Sequence, residues 1–214
     1  MRNILIVGAG KSSPYLIKYL LDKSQEQNLY LHITDVKIDH LLHYKKNNRC
    51  SVSIIDILDD TEREEYLFKN DIIISMLPAR LHMILANSCL KLKKNLITAS
   101  YVSDEMRNIN KSVKERNLIF LNEMGLDPGI DHMSAKKIID KLKDNSCSIY
   151  SFKSYTGGLI APESDNNSWN YKFTWNPRNV ILAGQGLPVF NYGENEISNF
   201  DISYSINGGP IITR

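Results

Sequence analysis

The chain has 214 residues and a nearly balanced charge, with 26 Lys and Arg against 24 Asp and Glu and a net charge of +2. This balance argues against nucleic acid or a membrane surface as a partner, because both favour a strong basic excess. No apolar run approaches the ~18 residues of a membrane-spanning helix, and the amino terminus lacks the apolar core and cleavage site of a signal peptide. Three widely spaced cysteines give neither a disulfide framework nor a zinc pattern, so we expect a soluble protein of a reducing cytoplasm.

Short apolar segments alternate with helical stretches through the first 120 residues. The apolar segments are rich in Ile, Leu and Val and are continuous, as is typical of parallel strands covered by helices on both faces. Strands are predicted at residues 3–7, 29–34, 51–55, 71–76, 95–98 and 118–121, and helices at 14–23, 81–92 and 102–116, the last with Ser103 as its N-cap. The alternation predicts an α/β fold, a Rossmann-type doubly wound parallel sheet with right-handed crossovers.

The pattern changes after Asn122. A predicted helix at 130–143 is followed by a strand-like run at 148–155 and then by Gly- and Pro-containing loops with aromatic residues. Residues 192–214 show no clear periodic element. We therefore expect one domain at residues 1–122 and the start of a second, α+β domain at 123–214.

The first strand runs into a glycine turn and a helix start, in the segment ILIVGAGKSSP at residues 4–14. In a dinucleotide-binding fold, Gly8 allows the tight turn, Gly10 lets the backbone approach the pyrophosphate, and the helix N-terminus offers N–H groups to its charge. Ser13 replaces the third glycine of the usual motif, and its hydroxyl is a candidate phosphate donor. The alternative is a plain β–α turn without a ligand, but a strand before the motif and a helix after it favour the nucleotide.

Further candidate nucleotide contacts follow the next strands, because ligands bind at the carboxyl edge of such a sheet. Asp35 ends the second strand, where an acid accepts hydrogen bonds from the adenosine ribose and disfavours a 2′-phosphate. Lys37 is placed to meet a 2′-phosphate instead, so the choice between NADP and NAD stays open. Asp56 follows the third strand and Leu77 the fourth. Each of these residues also has a plain structural alternative, as a solvated strand end or as local packing.

Four segments resemble the saccharopine dehydrogenase family and occur in the family's order. They are TASYVS at residues 98–103, NEMGLDPGIDHM at 122–133, SYTGGLIAPE at 154–163 and YKFTWNPR at 171–178. The GLDPGIDH segment is the most specific of these, and the likeness is greatest to the glutamate-forming branch of the family. It covers the chain from Met1 to about Asn195.

The resemblance implies an NAD(P)-dependent oxidoreductase acting on CH–NH donors in lysine metabolism, which interconverts saccharopine with α-aminoadipate semialdehyde and glutamate. It implies an NAD(P)-binding domain at 1–122 and part of the family's C-terminal domain at 123–214. By matching positions, the implied substrate contacts are Ser100, Tyr101 and Asp127. The implied cofactor contacts are Gly8, Gly10, Lys11, Ser12, Ser13, Asp35, Asp56, Ile57, Leu77, Ala99, Ser100, Leu126, Asp127, Pro128 and Asn176.

Residue chemistry agrees with the implied substrate positions. Ser100 and Tyr101 follow the fifth strand, and both offer hydroxyls to a carboxylate. Asp127 lies on a loop rich in Gly and Pro, where its carboxylate can pair with a substrate ammonium or iminium and orient it for hydride transfer. We rank this positioning role above acid–base work.

Other chemically suggestive residues have plainer explanations. His132 follows Asp131 at a predicted helix start, where capping or packing is favoured over a catalytic base. Glu123 is expected to tie its loop to neighbouring backbone amides. The remaining histidines lack a metal-like spacing, so no metal site is predicted.

The sequence departs from the family in length, since family members are about twice as long and supply arginines later in the chain that bind the substrate's carboxylates. We therefore expect a truncated product or a chain completed by a second polypeptide, with apolar surface that promotes association, most simply as a homodimer. The first hypothesis is an oxidoreductase of the saccharopine type. The alternatives are a non-catalytic dinucleotide-binding remnant or subunit, and an enzyme similar to homospermidine or carboxynorspermidine synthase.

Overall fold

The computed structural model describes residues 1–154, 160–169 and 172, together with two short strands near the carboxyl end. The chain divides into two compact units, residues 1–136 and 137–214. Within the described residues no helix combines the length and the apolar character needed to cross a membrane.

A six-stranded parallel sheet forms the centre of the first unit, with the strand order β3-β2-β1-β4-β5-β6. This is the predicted doubly wound topology, in which the order reverses beside β1. The strands are β1 (Arg2–Val7), β2 (Leu29–Asp35), β3 (Cys50–Ile54), β4 (Ile72–Ser75), β5 (Asn95–Thr98) and β6 (Phe120–Leu121). All six lie at predicted positions and differ from the predicted bounds only by a few end residues.

Helices connect the strands and continue into the second unit. They are α1 (Pro14–Lys23), α2 (Asp60–Phe68), α3 (His82–Leu92), α4 (Asp104–Asn108), α5 (Asn110–Glu115) and α6 (Ile130–Asp144). Short 3₁₀ helices occupy Asp39–Lys46, Ala79–Leu81 and Pro162–Ser164. In the second unit, β7 (Ser203–Tyr204) and β8 (Ile212–Thr213) pair antiparallel, in a stretch where the sequence pattern predicted no element.

Alternate residues of β1 enter two separate cores, which explains why its sequence is apolar throughout. Ile4 and Ile6 pack with Ile17 of α1 on one face. Leu5 and Val7 pack on the other face, against side chains of α2 and α3. Because successive strand side chains point to opposite faces, a strand covered by helices on both sides needs an apolar residue at every position.

Two helix predictions differ from the structure. The predicted helix at 102–116 is broken at Ile109 into α4 and α5, beside Asn108 and Asn110, whose side chains compete with helical hydrogen bonding. Helix α2 was not predicted, because its sequence, DTEREEYLF, carries no regular apolar stripe. Its start is nevertheless encoded: the Asp59 side chain accepts a hydrogen bond from the Glu62 backbone N–H at 2.9 Å, an N-cap three residues before a Glu.

The strand-like run predicted from residue 148 is also wrong over the part the structure describes. Residues 148–154 have no strand assignment, and Tyr155 lies outside the described residues. A single alternating run stays irregular unless another strand supplies the hydrogen-bond partners of its backbone.

Candidate functional site

The glycine turn between β1 and α1 has the geometry that its sequence predicts. Gly8 adopts φ +87°, and a Cβ atom there would lie 3.1 Å from the Met76 backbone, so a side chain is excluded by both conformation and space. At Gly10 a Cβ would meet nothing within 4 Å. The turn is therefore packed against β4 at its first glycine and open at its second, which fits the close approach of a pyrophosphate.

The peptide groups of Ala9 are held from both sides. Its N–H donates to Asp35 Oδ2 at 2.6 Å, and His40 Nε2 lies 2.7 Å from its carbonyl oxygen. Because a carbonyl only accepts, the His40 ring nitrogen carries the proton. The other Asp35 oxygen accepts from the Lys37 N–H at 3.2 Å. Asp35 thus fixes the turn, and His40, which the sequence analysis did not single out, completes this arrangement from the following 3₁₀ helix.

The Ser13 hydroxyl is turned inward. Ser13 is 1% exposed, and its hydroxyl donates to the Gly10 carbonyl at 2.8 Å. This bond stabilises the turn. Lys11 and Ser12 are exposed, and they are the side chains of the turn that remain accessible to a phosphate.

A buried arginine supports the segment that follows β3. The Arg63 guanidinium, on α2, donates to the Ile57 carbonyl at 2.6 Å, to Ser88 Oγ at 2.9 Å and to Asp60 Oδ1 at 2.6 Å. The Ile57 side chain is buried in the core, whereas Asp56 is exposed. Arg63 was also missed by the sequence analysis, because nothing local indicates that this one charged residue of α2 faces inward.

A chain of three side chains links the ends of β4 and β5. Ser75, the last residue of β4, has its Oγ 2.8 Å from His82 Nδ1, and His82 Nε2 lies 2.8 Å from Ser100 Oγ. Ser75 is fully buried and His82 is 5% exposed, whereas Ser100 is half-buried at the carboxyl edge of the parallel sheet, which we call the crevice because ligands bind there in such folds. Burial lowers the pKa of His82, so its imidazole is neutral at neutral pH.

The loop at 122–129 lies against the end of β5. The Glu123 and Met124 N–H groups donate to the carbonyls of Ser100 and Thr98, both at 3.0 Å. Glu123 Oε1 accepts from the Val102 N–H at 3.1 Å, which confirms the expectation that Glu123 ties its loop to a neighbouring amide. These bonds bring the loop to the two hydroxyl residues that follow β5.

Within this arrangement Tyr101 and Asp127 meet directly. The Tyr101 hydroxyl donates to Asp127 Oδ1 at 2.8 Å, and both side chains are exposed. The predicted substrate residues Ser100, Tyr101 and Asp127 thus lie at one end of the crevice. Leu77 lies 3.2 Å from the position of a Cβ on Gly8, and Ala99 lies beside Gly125. Leu126 is exposed and Pro128 is buried.

The remaining candidates lie apart from this network or outside the described residues. His132 is exposed, with its Nδ1 2.8 Å from Asp131 Oδ1. Among the described residues, no group of three or more His, Cys, Asp or Glu side chains is arranged to hold a metal ion. Asn176 lies outside the described residues.

The parallel sheet, the glycine turn at its centre and the acidic residue at the end of β2 define a Rossmann-type dinucleotide-binding domain. Residues 4–121 match the family model of the saccharopine dehydrogenase NADP binding domain, and residues 125–204 match that of the saccharopine dehydrogenase C-terminal domain. The chain belongs to the saccharopine dehydrogenase family, as its four motifs predicted.

Individual relatives agree with the family models. An alpha-aminoadipic semialdehyde synthase of Arabidopsis thaliana is 44% identical over 131 residues, which are 61% of this chain and 12% of that protein. A mitochondrial alpha-aminoadipic semialdehyde synthase of Bos taurus is 37% identical over 182 residues, which are 85% of this chain and 19% of that protein. The chain therefore spans less than a fifth of the length of either relative.

One solved structure is similar to this chain in both sequence and fold. The apo saccharopine dehydrogenase (L-Glu forming) of Saccharomyces cerevisiae superposes with a TM-score of 0.74 at 31% identity. The match covers 86% of this chain and 40% of the yeast chain.

Proposed function

We propose that this chain carries the nucleotide-binding residues, and part of the substrate-binding residues, of an NAD(P)-dependent oxidoreductase that interconverts saccharopine with α-aminoadipate semialdehyde and glutamate. The observation that carries the proposal is the hydrogen bond from Tyr101, which follows Ser100 after β5, to Asp127, which lies just past the boundary between the two matched family models. The proposed domains are 1–122 for the nucleotide and 123–214 for the substrate.

The glycine turn is proposed to hold the pyrophosphate. Gly8 and Gly10 shape the backbone, Lys11 supplies a positive charge, and the start of α1 supplies its dipole. Asp35 faces the adenosine ribose while it holds the Ala9 N–H, and Lys37 is the residue available to a 2′-phosphate. The other proposed nucleotide contacts are Ser12, Ser13, Asp56, Ile57, Leu77, Ala99, Ser100, Leu126, Asp127, Pro128 and Asn176.

When bound, the dinucleotide supplies or accepts the hydride at a secondary amine or imine carbon. The chain's own residues position that carbon. The Asp127 carboxylate pairs with the substrate's ammonium or iminium, and the bond from the Tyr101 hydroxyl holds the carboxylate in place. A fixed negative charge beside a developing positive charge lowers the barrier without having to reorganise during the reaction.

The test begins with calorimetric titration of the purified chain with NADPH and NADH, followed by saccharopine-dependent reduction of the oxidised cofactors. We expect Asp127→Asn to lower kcat/KM about 100-fold and Tyr101→Phe about tenfold. Tyr19→Phe is the matched control, because Tyr19 on α1 is as exposed as Tyr101 (60% and 59%).

The outcomes separate the candidate functions. Nucleotide binding without turnover would assign the chain to a nucleotide-binding subunit. This alternative is tested because the matches cover only 12% and 19% of the two relatives. Faster turnover of an amine without carboxylates would move the substrate class towards polyamine synthesis. Failure to bind either nucleotide would reject the proposal. Lys37→Ala weakening NADPH binding but not NADH binding would identify the 2′-phosphate contact.

We further propose a homodimer in the cytoplasm. Exposed apolar side chains on α6, among them Ile130, Met133 and Ile138, support association, and three free cysteines support a reducing compartment. Sedimentation equilibrium tests the first statement. Cell fractionation tests the second, against the mitochondrial location in the name of the bovine relative.

A further inference from the structure

Two hydrogen bonds link the side chains of Ser75, His82 and Ser100, and we call this set of three side chains the relay. The donors and acceptors along the relay follow one of two directions. Each hydroxyl can donate one proton, and a neutral imidazole donates from one nitrogen and accepts at the other. The two contacts, both 2.8 Å, therefore allow two arrangements with opposite directions. In one, the Ser100 hydroxyl accepts from His82 and can donate its own proton to a ligand. In the other, the Ser100 hydroxyl donates its proton to His82.

Burial selects between the two arrangements. Ser75 is 0% exposed, and the hydrogen bond that the described structure gives its hydroxyl is the one to His82 Nδ1. If Nδ1 carried the proton, the Ser75 hydroxyl would accept and its own proton would be left in the core without an acceptor, which is costly. Ser75 therefore donates to Nδ1, and the imidazole proton lies on Nε2.

We propose that His82 is a positioning residue that donates from Nε2 to Ser100 Oγ and so commits the Ser100 hydroxyl to donate its proton to an acceptor oxygen of the bound ligand. The lowered pKa of His82 agrees with this arrangement, since a neutral ring is required. His82 begins α3 directly after the 3₁₀ turn Ala79–Leu81, so its backbone is fixed between two helical segments.

This direction gives the substrate end of the crevice two opposite polarities. Ser100 donates and therefore suits a carboxylate or carbonyl oxygen, whereas the Asp127 carboxylate suits a positive charge. An α-amino acid carries both groups, so the pair sets the orientation in which it binds. The assignment of the ligand rests on the proposed function, whereas the direction of the hydrogen bonds rests on the geometry of Ser75 and His82 alone.

The first test measures the tautomer of His82 directly. Two-bond ¹H–¹⁵N correlation spectra of the uniformly ¹⁵N-labelled chain at pH 7, assigned by comparison with the His82→Gln variant, distinguish Nε2–H, Nδ1–H and imidazolium forms. We expect the Nε2–H form. Either of the other two forms would overturn the inference, and this outcome does not depend on whether the chain binds saccharopine.

The second test uses the different reach of two amides. In His82→Gln the side-chain amide reaches about as far as Nε2 and can still donate to Ser100, whereas in His82→Asn it reaches only about as far as Nδ1. We expect the Kd for saccharopine, measured by calorimetry with reduced cofactor present so that no hydride transfer occurs, to rise about tenfold in His82→Asn and to stay close to wild type in His82→Gln. His32→Asn, at a partly buried histidine on β2, is the control and should leave Kd unchanged.

The outcomes distinguish the two proposals. Equal Kd values for wild type and His82→Asn, or the same loss in His32→Asn, would overturn the positioning role. A wild-type chain that binds neither cofactor nor saccharopine would refute the proposed function, and the tautomer would then decide the inference about His82.

Discussion

The two ends of the crevice are held by opposite means. At the glycine turn, Asp35 and His40 hold the backbone of Ala9. At the end of β5, backbone bonds hold the loop at 122–129, and further contacts join side chain to side chain: His82 to Ser100, and Tyr101 to Asp127.

The difference separates the shape of the crevice from its chemistry. Under the proposed function, a ligand at the glycine turn would meet mainly backbone, so the Asp35 and His40 side chains serve to set conformation. A ligand at the β5 end would meet hydroxyl and carboxylate groups, whose polarity is set by the residues behind them. Substitution of Asp35, whose side chain holds the turn, should therefore change folding and nucleotide affinity together, whereas substitution of the Tyr101 or Asp127 side chain should change substrate binding with little effect on the fold.

The largest effect on stability should come from Gly129, which lies in the loop at 122–129 and not in the glycine turn. Gly129 adopts φ +149°, and a Cβ there would collide with the Gly125 backbone. We expect Gly129→Ala to lower the free energy of unfolding by about 3 kcal/mol or more, because conformation and space both exclude a side chain. Gly10→Ala is the matched control: its Cβ meets nothing, so stability should change by less than about 1 kcal/mol, while nucleotide affinity falls.

Urea unfolding and nucleotide titration of both variants check this contrast. Equal stabilities of Gly129→Ala and wild type would mean that the loop at 122–129 is not held as described. Unchanged nucleotide affinity in Gly10→Ala would mean that no phosphate approaches the open side of the turn.

The same contrast explains what the sequence could predict. The central strands β1 and β4 were predictable because both of their faces are buried, which requires continuous apolar runs. The pairing of Tyr101 and Asp127 was anticipated only through the family motifs. His40, Arg63 and His82 were not anticipated, because their partners are fixed by the three-dimensional fold: Arg63 meets Ser88 on another helix, and His40 meets Ala9 across 31 residues.

An intermediate effect on stability is expected for Asp35, whose carboxylate accepts the hydrogen bond from the Ala9 N–H. Asp35→Ala removes the acceptor of the 2.6 Å bond from the Ala9 N–H. We expect a loss of about 1.5–3 kcal/mol in the free energy of unfolding, the usual range for a hydrogen bond to a charged group, together with weaker nucleotide binding. Urea unfolding and calorimetry measure the two effects. Asp22→Ala, at an exposed site, is the control and should change neither stability nor nucleotide affinity. If Asp35→Ala lost affinity without losing stability, Asp35 would bind nucleotide without supporting the turn.

The smallest effect should be a gradual loss of stability in mild acid. Burial lowers the pKa of both His82 and His32 from the ordinary value of 6.5, with Lys69 adding to the shift at His32. Between their lowered pKa values and 6.5, the unfolded chain binds more protons than the folded chain. The free energy of unfolding therefore has its full value above about pH 6.5 and declines as the pH falls below it. Urea midpoints measured from pH 7.5 to 5.5 should decrease, with a shallower slope in His82→Gln and in His32→Asn. A midpoint that is constant or rises over this range would mean that neither imidazole is kept neutral by burial, and the hydrogen-bonded relay at the β5 end would then lose its neutral donor.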